Sequence, residues 1–158
     1  MRFIASMTVL FMFLHVNAQD ETRRNKEDGG YKFDVKKEIN TTGVKDQNRS
    51  ATCWSFSALS FIESELMRKG AGKHDLSEMF IVRHTYADKA KRYVRMHGKL
   101  NFGAGGAFHD VIHVIDHHGI VPEQVYSGGK MGYNQPVHSE MDAVLKSMAD
   151  AIIKNPNG

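Results

Sequence analysis

One cysteine occurs in the 158 residues, and it stands at the head of a long helical pattern. A single thiol has no partner for a disulfide within these residues, so the fold must rest on packed apolar faces. Four such faces can be read. From Cys53 to Lys69, the residues Ala58, Leu59, Ile62 and Leu66 recur at helical spacing, and Gly70 stands where a C-terminal cap belongs. Asp75-Leu76-Ser77-Glu78 predicts a capping box, with Asp75 and Glu78 in reciprocal positions, opening a second helix toward Met96. Gly103-Ala104-Gly105-Gly106 is a turn before a third helix, whose stripe is Phe108, Val111, Ile112 and Ile115 and whose end is Gly119. Ile120-Val121-Pro122-Glu123 is extended, because the residue before a proline avoids helical geometry. A last helix runs from Ser139 to Ile153, with Ser139 and Asp142 as a capping pair and Met141, Val144, Leu145, Met148 and Ile152 as its stripe.

The first eighteen residues belong to a different grammar. Met1-Arg2 is a short positive start, Phe3 to Val16 is almost unbroken apolar sequence, and Val16-Asn17-Ala18 precedes a strongly polar stretch. This is the pattern of a secretory signal, too short for a membrane span. The mature protein is therefore expected outside the cytoplasm, periplasmic or released, with no membrane attachment after cleavage. Residues 19–40 read as a polar leader, with a turn at Asp28-Gly29-Gly30, and the main domain as 41–158. The formal charge of +3 is small and the basic residues are scattered, which argues against a nucleic-acid partner.

Export sharpens the question of what one thiol is for. Cys53 at a helix start meets unpaired backbone N–H groups and the positive end of the helix dipole, which favour the thiolate, the nucleophilic form. Its own backbone N–H lies next to any carbonyl the sulfur attacks, and so offers one oxyanion donor. Gln47, six positions upstream across a loop of small and polar residues, has an amide NH₂ that can supply a second. Trp54 would pack over the site and limit water access.

Val44-Lys45-Asp46-Gln47 followed by Cys53-Trp54-Ser55-Phe56-Ser57 resembles the active-site stretch of papain-like cysteine peptidases. Leu76-Ser77-Glu78 is similar to the family's next helix opening, and Gly119-Ile120-Val121-Pro122-Glu123 with Tyr126 to a later segment. Gly105-Gly106 resembles the glycine pair against which a substrate backbone lies, since a main chain without side chains can be approached closely. The resemblance covers roughly Tyr31 onward. It implies an α+β papain-like fold, of which this chain supplies mainly the helical (left) domain with the Cys53 helix. It also implies a peptide substrate, Cys53 as nucleophile, Gln47 in the oxyanion hole, Trp54, Gly105 and Gly106 at the substrate, and no cofactor or metal.

Three departures narrow the branch. Ser50 stands where plant and lysosomal members have a disulfide cysteine, Ala51 replaces a common loop glycine, and the leader is shorter than their inhibitory propeptide. These features are more similar to the bleomycin hydrolase and aminopeptidase C branch, especially exported bacterial relatives, which implies aminopeptidase activity and a homo-oligomer. An endopeptidase, or a non-catalytic peptide-binding module with the same fold, are the other readings.

The family places its His and Asn roughly 130–150 residues after the Cys, and 105 residues follow Cys53 here. The general base and its orienting Asn are therefore expected beyond Gly158, and this N-terminal part is expected to be inactive alone. His74, His84, His97 and His138 fall in segments that resemble non-catalytic parts of the family. His109, His113 and His117 recur every four residues, a spacing that can bind metal; lying off the apolar stripe and without a His-Glu-x-x-His motif, they read as a solvated face. The glycine run lacks the Gly-Lys-Ser/Thr ending of a phosphate loop. The sequons Asn40-Thr41-Thr42 and Asn48-Arg49-Ser50 read as chance, the second because a glycan would crowd the loop before Cys53.

Overall fold

The computed structural model describes residues 23–24, 32–129 and 135–155. The expected signal segment 1–18 and the turn at residues 28–30 lie outside them. Two units divide the chain, 1–38 and 39–158. In the first, β1 (Arg23–Arg24) pairs antiparallel with β2 (Lys32–Phe33), Arg23 opposite Phe33.

The second unit is mostly helical: α1 (Cys53–Arg68), α2 (Glu78–Arg95), α3 (Phe108–His118) and α4 (Ser139–Lys154). α2 is the central helix and packs against α1, α3 and α4, while α1 also packs against α3. Their shared core contains Ala58 and Leu59 of α1, Ile81 and Val82 of α2, and Val111 and Val114 of α3. Short pairings bind the connections to this core. Leu76 bridges Pro122, with Ser77 N–H donating to Val121 O and Glu123 N–H to Asp75 O, each at 2.9 Å. No helix among the described residues is long and apolar enough to cross a membrane.

Glycines end the helices largely where expected. After α1, Gly70 N–H donates to Met67 O and Ala71 N–H to Leu66 O, with Gly70 at φ +76°. This paired arrangement satisfies the last carbonyls of the helix. α2 ends the same way, with His97 N–H on Val94 O and Gly98 N–H on Tyr93 O. Here, however, the left-handed position is held by His97, at φ +50°. A side chain there crowds the following carbonyl. Because His97 is exposed, His97→Gly is expected to stabilise the protein by about 0.5–1 kcal/mol, the relief of that crowding less the freedom glycine loses on folding; urea denaturation measures it.

The caps differ from their sequence expectation. α2 begins at Glu78 with Ser77 as its cap, whose hydroxyl accepts from Phe80 N–H at 3.0 Å. Asp75 caps nothing because its carboxylate is 2.6 Å from Lys45 Nζ. His138, not Ser139, precedes α4, and Asp142 accepts a hydrogen bond from the Tyr86 hydroxyl of α2. In both cases a distant partner outcompetes the local one.

Two apolar stripes are rotated from their expected faces. α3 buries Val111 and Val114, leaving Phe108 and Ile112 exposed, although Phe108 meets Phe61 of α1 edge-on at 5.8 Å. α4 buries Ala149 and half-buries Leu145 and Ile153, while Met141, Val144, Met148 and Ile152 are exposed. α4 packs on α2 alone among the described helices, so only one edge of its apolar face is covered. The uncovered part borders a groove of about 750 Å³ against Met79, Val82 and Val94 of α2.

Candidate active site

The site is built on the loop from Lys45 to Thr52 and the mouth of α1. Upstream, the chain is pinned by ion pairs and hydrogen bonds. Lys45 Nζ reaches Asp75 at 2.6 Å, Glu78 at 2.9 and 3.0 Å, and Leu76 O at 3.1 Å. Burial pulls the Lys45 ammonium down, but its bonds to Asp75 and Glu78 prevail and hold it above the ordinary lysine range. Glu78 is pushed up by burial, with Lys45 pulling it back. Beside them Glu63, almost fully buried on α1, accepts from the Thr42 hydroxyl and from Leu76 N–H. Ser55 of α1 donates to Glu78 O at 3.0 Å.

From Gln47 the chain turns back on itself. Asn48 and Ala51 both take left-handed conformations, at φ +48° and +55°. Asn48 is suited to this, since asparagine tolerates that region; Ala51 is not, and carries strain where a glycine would carry none. Hydroxyls hold the turn. Ser50, fully buried, donates to Gln47 O at 2.7 Å. Its one proton is thus spent, so the Thr52 hydroxyl must donate to Ser50 Oγ. From outside, Arg49 bridges Val137, His138 N–H donates to Arg49 O, and Asn48 Nδ2 donates to Pro136 O.

This arrangement leaves the helix mouth open. Thr52 is the residue before α1, yet its side chain makes no capping bond, and no acidic residue occupies the first turn. Cys53 is the first helical residue and is exposed. The positive end of α1 is therefore available to a thiolate or to a substrate oxygen near the sulfur. Gln47 is half-buried, and its amide oxygen is buried without a hydrogen-bond partner among the described residues. No bond joins the Gln47 amide to Cys53 among the described residues. The Ser50 and Thr52 hydroxyls connect the Gln47 backbone to the α1 mouth.

On the other side of Cys53, Trp54 is buried and its Nε1 donates to Ala104 O at 3.0 Å. A Cβ on Gly106 would lie 2.5, 2.6 and 2.9 Å from three Trp54 ring atoms, whereas one on Gly105 would meet nothing within 4 Å among the described residues. The approach that Gly106 permits within the protein is to this indole. Gly106→Ala is accordingly expected to cost about 1–3 kcal/mol by overpacking, and Gly105→Ala to be near neutral for stability; paired thermal melts check the contrast.

The histidines fall elsewhere. None bonds the Cys53 sulfur among the described residues. His113 is half-buried rather than solvated, with Nε2 3.5 Å from Asp88 Oδ2 and its ring 4.1 Å from that of His117. His84 stacks on His118 at 4.1 Å and is lowered by burial and by His118. His138 is half-buried beside Tyr86 and lowered by burial, with Nδ1 unpartnered among the described residues.

Three contributors escape the sequence pattern. Ser50 stands out there only for not being cysteine, although hydroxyls two apart in a tight loop signal mutual bonding. Lys45 reads as part of a motif and not as an anchor. Lys89 of α2 carries no signal of its own, yet it donates to the carbonyls of Gly103 and Gly105.

Comparison with known proteins matches residues 30–151 to the family model described as "Papain family cysteine protease". No curated protein matches the chain.

Proposed function

The chain belongs to the papain family of cysteine proteases, and we propose from that premise that it is the Cys53-bearing part of an exported aminopeptidase of the bleomycin hydrolase and aminopeptidase C branch. The observation that carries the reading is the open mouth of α1: Cys53 is exposed at the first helical position while the Thr52 hydroxyl is engaged by Ser50. In this reading the Cys53 thiolate attacks the carbonyl carbon of the scissile peptide bond, forming an S–C bond. The oxygen that becomes negative receives the Cys53 backbone N–H and the Gln47 amide, a donor typically worth about 2.7–4 kcal/mol in the chemical step. A histidine oriented by an asparagine, both outside the described residues, takes the thiol proton and delivers it to the leaving amine as the C–N bond breaks. Water then hydrolyses the thioester and frees the thiolate. The histidine and asparagine would belong to the other half of an α+β fold that faces this helical half across the cleft.

Gly105 and Gly106, on the Trp54 side, would pair with the substrate main chain. The aminopeptidase branch is supported by Ser50 and Ala51 in the loop and by the short polar stretch before it. Fluorogenic aminoacyl and peptidyl substrates, each with a free or an acetylated N-terminus, test this with the full-length protein. Cleavage confined to free N-termini is expected. Equal cleavage of acetylated peptides would make the enzyme an endopeptidase instead.

A further inference from the structure

We propose that Lys89 is a positioning residue for the peptide-binding turn, fixing the carbonyls of Gly103 and Gly105 toward the protein so that the Gly106 backbone is presented to substrate. This rests on the peptidase reading above and on Gly105-Gly106 as the substrate strand.

Three successive carbonyls are turned inward. Gly103 O accepts from Lys89 Nζ at 3.0 Å, Ala104 O from Trp54 Nε1 at 3.0 Å, and Gly105 O from Lys89 again. In an extended strand successive carbonyls alternate in direction, so these donors hold the turn out of that geometry. A lysine is well suited here, because one ammonium carries three donors at a single point, and two of them serve carbonyls two residues apart. The ammonium is itself fixed, 5.9 Å from the Trp54 ring centroid and 5.7 Å from that of Tyr86, both within cation–π range. Burial pulls Lys89 below the ordinary lysine range, while Asp110 and Asp142 pull it back up. Trp54 closes the arrangement, since its indole lies against the Cα of Gly106 and stops the turn from moving inward.

What remains outward is the Gly106 main chain. Its N–H and C=O make no hydrogen bond among the described residues, and the residue is exposed. A peptide backbone laid along it would find a donor and an acceptor already oriented, so less ordering would be lost on binding. Lys89 touches no substrate in this arrangement; it acts through the turn.

The test uses the full-length protein and its Lys89→Met, Lys89→Gln and Lys89→Arg variants. Each is labelled at Cys53 with a peptidyl epoxide, which needs the turn, and with iodoacetamide, which does not, and the two rates are read by mass spectrometry. Both rates are read well below the melting temperature of each variant, with folding checked by circular dichroism, because iodoacetamide also alkylates the thiol of an unfolded chain. For Lys89→Met the peptidyl rate is expected to fall about tenfold or more relative to iodoacetamide, a loss of at least about 1.4 kcal/mol of binding. Lys89→Gln should lie between, and Lys89→Arg should recover much of the ratio. With peptide substrates the loss should appear in KM rather than kcat. An unchanged ratio in Lys89→Met and Lys89→Gln would overturn the proposal. A wild-type protein that shows no preference for the peptidyl reagent and cleaves no peptide would instead overturn the peptidase reading on which it rests.

Discussion

Cys53→Ser is expected to lower peptide hydrolysis by the full-length enzyme by roughly a millionfold, the scale seen when a hydrolase loses its nucleophile. The reason is chemical. A hydroxyl holds its proton far more tightly than a thiol, and the mouth of α1 can favour an anion but cannot ionise an alcohol at neutral pH. The fold should not notice. Cys53 is exposed, and the bonds that shape its loop belong to Gln47, Ser50 and Thr52, so stability should stay within about 0.5 kcal/mol of wild type. Hydrolysis assays and a thermal melt on the same preparation separate the two effects. Retained turnover would refute Cys53 as the nucleophile.

The largest loss of stability is expected at Lys45. Lys45→Met would leave Glu78 without its cationic partner, and the Glu78 side chain is only 5% exposed. Breaking a buried pair from one side costs about 3–5 kcal/mol. Water reaches the lysine end, which is 28% exposed, so about 3 kcal/mol is expected at neutral pH. The pH dependence has a definite sign. Burial raises Glu78 in the folded protein, so the folded state holds that proton more tightly than the unfolded chain does. The stability linked to this proton is fully present below the unfolded carboxylate value and is lost as pH rises through the folded one. Removing Lys45 takes away the group that pulls Glu78 down. The deficit of the variant should therefore shrink on acidification and be greatest near neutrality. Urea denaturation at a series of pH values reads this directly; a deficit that grows toward acid would contradict the assignment. Lys45 itself is raised, and its own contribution fades only as pH climbs through that raised value.

Local order is legible where one local signal governs it. The α1 start at Cys53 and the ends at Gly70 and Gly119 follow from apolar periodicity and from glycine's freedom at a helix end. Caps depart from expectation where a distant charge or hydroxyl competes. Asp75 and Ser77 are both good caps by type, and the choice between them is made by Lys45, some thirty residues away. Asp142 is taken by Tyr86 in the same manner. The α4 stripe is visible as amphipathic, but amphipathicity does not say how much of a face its neighbour covers. Within the site, the helix mouth and the loop before it can be anticipated from residue type and spacing. Lys89 cannot, since on a helix surface it reads like any solvated lysine until the unmet carbonyls of the glycine turn are placed beside it.

The Thr52–Ser50–Gln47 hydrogen-bond chain carries a consequence for the conditions this protein can work in. A nucleophilic thiol is kept active by small-molecule reductants, and the same reductants cleave disulfides by thiol exchange. A loop stapled by sulfur would thus be loosened by the treatment that revives its catalyst. Hydroxyl-to-carbonyl bonds have no redox chemistry, so this loop keeps its shape in thiol buffer as well as in air. Reversible oxidation of Cys53, to a sulfenic acid or a mixed disulfide, can then be undone by thiol without loosening the loop beside it.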